Sequence, residues 1–124
     1  MELLLDTHVV LGLLEPEKAK FERWTTEPVF VSVASIWEIG IKVRQGKLML
    51  PATLYELEER LVRLGCQILT VTGAHAVADV DPWPDTNDPF DRLLLAVCEV
   101  EGLRLVTRDA KLKDHPLAWR PPPA

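Results

Sequence analysis

The chain has 124 residues, 48% hydrophobic and 27% charged, the proportions of one globular domain spanning 1–124 whose core needs no disulfide or structural metal. A net charge of −5 excludes the generic nucleic-acid binder that relies on a basic surplus. What remains is a domain indifferent to nucleic acid, or one whose acids hold cations that meet phosphate in their place.

The opening stretch MELLLDTHVVLGLL carries Glu2 and Asp6, which break a signal-like apolar run, and no later run reaches membrane-spanning length. Cys66 and Cys98 stand alone, without zinc-finger spacing. Together these predict a soluble, reduced, cytoplasmic protein with no membrane contact. Four short apolar runs, LLLD at 3–6, VFVSV at 29–33, CQILTV at 66–71 and LRLVT at 103–107, are continuous rather than alternating, as buried strands of a parallel sheet are. LAWR at 117–120 is a candidate fifth strand.

Between the strands the pattern turns helical. In ASIWEIGIKVRQG, helical spacing puts Ile36, Ile39, Gly40 and Val43 on the sheet-facing stripe and Ser35, Glu38 and Lys42 on another face, with Trp37 and Ile41 on a further flank. TLYE at 53–56 predicts a capping box, followed by a stripe of Leu54, Leu57, Leu61 and Leu64 that Gly65 ends. NDPFDRLL at 87–94 starts a helix with Asp88 as N-cap, Pro89 as first residue and Asp91 as third, its buried face running through Phe90, Leu93, Leu94, Val97 and Val100. Strands and helices in alternation predict an α/β fold, a parallel sheet of four to five strands sandwiched by helices.

In an open parallel sheet, ligands bind beyond the carboxyl ends of the strands. Asp6 ends the first strand and Asp109 follows the fourth, so neighbouring strands would bring them to one edge; Glu38 and Asp91 each lie near the start of a helix. Each acid alone has a bland explanation. Asp6 and Asp109 suit helix capping, and Glu38 suits a surface pair with Lys42 worth ~0.3–0.5 kcal/mol. Several carboxylates in one crevice are harder to explain, since two at ~4 Å repel by roughly 4 kcal/mol at an effective dielectric near 20. A bound cation resolves the conflict, and oxygen-only ligands select Mg²⁺ or Mn²⁺.

The segments LLLDTHVVLGLL, VSVASIWEIGIKVRQGKLML, DPFDRLLLAV and LVTRDAKL resemble, in order and spacing, the PIN-domain ribonucleases and specifically the VapC-type toxins. The resemblance implies a parallel α/β sandwich that is usually a homodimer. It implies Mg²⁺- or Mn²⁺-dependent endonucleolytic cleavage of RNA, restrained by an antitoxin protein whose tail covers the site. It also implies an acidic site at Asp6, Glu38, Asp91 and Asp109 with Thr107 in support. One departure is Thr86, which stands where related sequences often have histidine.

On this reading Asp6 is a direct metal ligand, Asp91 and Asp109 are ligands or water anchors, Glu38 orients a water or acts as base, Ser35 and Thr107 support them, and Lys42, Arg92 and Arg108 are candidate RNA contacts. Three rivals remain. A phosphatase of the haloacid-dehalogenase kind needs a second acid two residues after Asp6, where His8 stands. A catalytically inactive PIN-like module would bind RNA or antitoxin only. A nuclease directed at DNA is separated from the first reading by the resemblance alone.

Overall fold

A computed structural model describes residues 2–15, 27–50 and 52–121. Four parallel strands, β1 (Leu3–Leu5), β2 (Val29–Ser32), β3 (Gln67–Leu69) and β4 (Arg104–Val106), form one sheet in the order β3-β2-β1-β4. Leu3 pairs with both Val29 and Arg104, so β1 is central and β4 lies directly beside it. The helices α1 (Thr7–Leu14), α2 (Val33–Arg44), α3 (Leu57–Arg63), α4 (Gly73–Val77) and α5 (Pro89–Glu101) fall in the connections.

Strand alternation divides the core in two. Leu3, Leu5, Val29, Val31 and Val106 face one way and pack with Val9, Val10, Ile39, Leu57 and Leu61. Leu4 and Leu105 face the other way and pack with Leu94, Leu95, Val97 and Cys98 of α5. Helices therefore cover both faces, which is the sandwich expected of a parallel α/β sheet.

Local chemistry shifts several boundaries. The strand expected over 29–33 ends at Ser32, because the Ser32 side chain accepts from Ala34 N and starts α2. The LAWR segment forms no full strand. Ala118 makes one parallel bridge with Leu105, through Leu105 N to Leu117 O and Trp119 N to Leu105 O, both 2.8 Å. Pro116 and Pro121 flank it without N–H donors, so the ladder cannot extend. The closing RPPPA lies mostly outside the described residues, at 122–124.

The TLYE capping box does not form. Thr53 makes no side-chain cap bond, Leu54–Glu56 is a 3₁₀ turn, and α3 begins only at Leu57. Leu57 and Leu61 are buried, while Leu64, the C-cap beyond the last residue of α3, is exposed. In α5, burial extends to Leu95 and Cys98, while Phe90 and Leu93 are half-buried and Val100 is exposed; α4 packs against this helix. Asp88 caps α5 as expected, accepting from Phe90 N at 2.9 Å with Pro89 in the first turn.

Both cysteines are free and buried. The buried histidines are structural. His75 accepts from Thr72 N and faces Glu101, and His115 bridges Pro82 O and Leu117 N.

Candidate functional site

Because β1 and β4 are neighbours, Asp6 and Thr107 leave the sheet at the same edge. Asp6 is buried, and each of its oxygens has a donor: Oδ1 accepts from Thr7 N at 2.7 Å and Oδ2 from the Thr107 hydroxyl at 2.7 Å. The first contact is the N-cap of α1, so the structural role considered for Asp6 is real. Only the first oxygen is used for it. Thr107 in turn accepts from Asp109 N, and Asp109 Oδ1 accepts from Lys111 N, which ties both acids to the turn after β4. Burial holds the Asp6 carboxyl above the usual carboxylate range, with the Thr107 and Thr7 hydrogen bonds pulling the other way.

Glu38 lies in the first half of α2, at the carboxyl end of β2. It is buried, its Oε1 accepting from the Thr7 hydroxyl at 2.8 Å and its Oε2 standing 2.9 Å from Lys42 Nζ. The Glu38–Lys42 pair thus exists, but at the wall of a crevice rather than on an open face. Thr7 also lies 2.9 Å from the Ser35 hydroxyl. A carboxylate only accepts, so Thr7 gives its proton to Glu38 and receives one from Ser35.

Asp91 enters from the first turn of α5. It is half-buried, with one side-chain contact of 3.4 Å from the Thr86 hydroxyl, which also receives Asp88 N. Its carboxyl is pushed up to about 6, first by burial, then by the negative charges of Asp88, Asp6, Asp109 and Glu38. Acids from three other segments, Asp6, Asp109 and Glu38, therefore act on Asp91. Arg92 is fixed beside them, its Nε on Thr86 O at 2.9 Å and its guanidinium 4.4 Å from the Trp83 ring centre. Arg108 is exposed next to Asp109.

Sequence reasoning missed Thr7 and saw in Thr86 only a departure from pattern. The available signal was position: a hydroxyl residue directly after the strand-ending acid, and one two residues before a helix N-cap.

The PIN domain family model matches residues 3–116. The chain belongs to the PIN domain family. Among curated proteins, none matches it. PIN domains are typically metal-dependent nucleases, which agrees with a fold whose acids lie at the carboxyl edge of a parallel sheet. Among the described residues of this PIN domain no helix is long and apolar enough to cross a membrane.

The donor set suits a hard divalent ion, being oxygen throughout. Among the described residues no three His, Cys, Asp or Glu side chains group tightly enough to hold an ion by themselves. Mg²⁺ needs no such cage. It keeps several waters and binds through one or two carboxylates plus substrate phosphates.

Proposed function

We propose that this PIN domain is a Mg²⁺- or Mn²⁺-dependent endoribonuclease, the toxin of a VapBC-type pair. It works in the cytoplasm as a homodimer and is restrained by a cognate antitoxin protein. The observation that carries the reading is the arrangement of the acids: Asp6 at the end of β1 is held by Thr107 after the neighbouring β4, Glu38 of α2 is held by Thr7, and Asp91 of α5 is raised first by burial and then by the charges of Asp88, Asp6, Asp109 and Glu38. Opposing charge supplied by an ion would relieve that repulsion.

Asp6, Asp91 and Asp109 would hold the ion. When bound, such an ion acidifies water and offsets charge on phosphoryl oxygens. The chain's own groups do the rest. Thr107 and Thr7 N fix Asp6 in place. Thr7, steadied by Ser35, fixes Glu38, which receives the proton of the attacking water. Lys42, Arg92 and Arg108 meet phosphates along the RNA, which is how a chain of net charge −5 engages a polyanion locally.

Induced expression in bacteria tests the class of activity. The parent chain should arrest growth, and an Asp91→Asn variant made in equal amount should not. Equal effects from the two would remove the catalytic reading and leave an inert binding module.

A further inference from the structure

Beside the acids a cleft of about 440 Å³ opens between α2 and the start of α5, and Glu38 belongs to both. The geometry points to this cleft as the seat of one unpaired nucleotide of the RNA, next to the bond that is cut. The inference rests on the ribonuclease reading above and extends it from the reacting groups to a base-binding subsite.

The cleft has the parts a nucleotide needs. Ile41 and Phe90 supply apolar wall, and Trp37 meets the Phe90 ring edge-on at 5.8 Å and 66°, fixing its orientation. A ring held in this way is a platform on which any base can stack. Gln45 adds an amide able to donate and accept, and Lys47 lines one side with positive charge beside the Glu38–Lys42 pair.

The placement of Lys47 is built into the helix end. Gly46 takes φ +74, Gly46 N bonds Val43 O at 3.0 Å and Lys47 N bonds Lys42 O at 2.9 Å, a Schellman closure that folds Lys47 back beside Lys42. Asp88 lines the opposite end and repels phosphate. The backbone of the nucleotide therefore runs along the lysine side, with the base turned toward Phe90. A paired base cannot enter, because it must leave its own stack to reach the ring.

The test uses the full chain in EDTA, where cleavage is off, and a fluorescein-labelled single-stranded oligoribonucleotide that the parent cuts in Mn²⁺. Anisotropy should show Phe90→Ala binding roughly tenfold more weakly, with Phe90→Leu, which keeps apolar bulk against Trp37, weakened similarly while melting as the parent does. An abasic residue at one position flanking the cut should weaken the parent roughly tenfold and Phe90→Ala no further. Lys47→Ala should lower the slope of log affinity against log salt by about 0.7. Parent-like binding by both Phe90 variants, or an abasic penalty that stays the same in Phe90→Ala, overturns the assignment of the cleft and leaves the ribonuclease reading standing. A parent that cuts no RNA in Mn²⁺ overturns both.

Discussion

Asp6 and Asp91 are the same residue type facing one crevice, yet the protein treats them differently. Asp6 is the more deeply buried, and it is clamped by a backbone donor and a hydroxyl, each at 2.7 Å. Asp91 is half-buried, held by one long contact, and surrounded by four other acids. Asp6 belongs to the architecture as well as to the site, since it caps the helix that follows the central strand. Asp91 has no comparable structural duty. The cap of its own helix is already supplied by Asp88, and its environment disfavours its charge.

The largest expected effect removes both side chains. Asp6→Ala and Asp91→Ala should each reduce RNA cleavage in Mn²⁺ by a factor on the order of a hundred or more. Their stabilities should separate the two. Asp6→Ala loses a cap worth ~1 kcal/mol and strands the Thr107 hydroxyl, for a total of roughly 2 kcal/mol in urea unfolding. Asp91→Ala should stay within about 0.5 kcal/mol of the parent. Equal losses would erase the distinction between the two acids.

A smaller effect sharpens it. Asp88→Ala should cost ~1 kcal/mol and retain most of the cleavage at temperatures where it is folded. If it is folded and inactive, the roles of Asp88 and Asp91 have been exchanged.

The smallest effect is the pH dependence of the metal-free protein. Asp91 ionises near 6 when folded and near the ordinary carboxylate value, 3.8, when unfolded. The folded state therefore binds the extra proton between those values, and the stability Asp91 contributes at low pH is lost as pH rises through 6. Solvent reaches a half-buried carboxyl and screens the effect, so the loss is on the order of 1 kcal/mol. Burial of Asp6 acts in the same direction, so the comparison that isolates Asp91 is parent against Asp91→Asn. Without metal the variant should gain on the parent between pH 4 and pH 7. A constant gap would place the Asp91 carboxyl back in the ordinary range.

How much of this was legible in the sequence follows from how local each cause is. Continuous runs such as LLLD and LRLVT announce buried parallel strands because both faces are covered. Asp88 followed by Pro89 announces the α5 start because capping is decided within three residues. The adjacency of β1 and β4, on which the meeting of Asp6 with Thr107 depends, was legible only as a condition. For Thr7 only its position after the strand-ending acid was legible, not its partners. Its partners Ser35 and Glu38 share a face of α2 by spacing, but nothing in the spacing says that α1 presents a hydroxyl to them. The stripe expected to run from TLYE to Leu64 missed both helix ends: Leu54–Glu56 is a 3₁₀ turn before α3, and Leu64 is the C-cap after it. α4, which packs against α5, is a five-residue helix with too few turns to show a period.

The central claim is that these carboxylates hold a divalent ion, and melting curves with and without Mn²⁺ for the parent and Asp91→Asn test it most directly. For the parent, an ion at a hundred times its dissociation constant adds ~2.7 kcal/mol, a rise on the order of 10 °C for a domain of this size. Asp91→Asn should start at or above the parent without metal and gain little when Mn²⁺ is added. A parent that melts at the same temperature with Mn²⁺ as with EDTA, or a variant that gains as much as the parent, would contradict it.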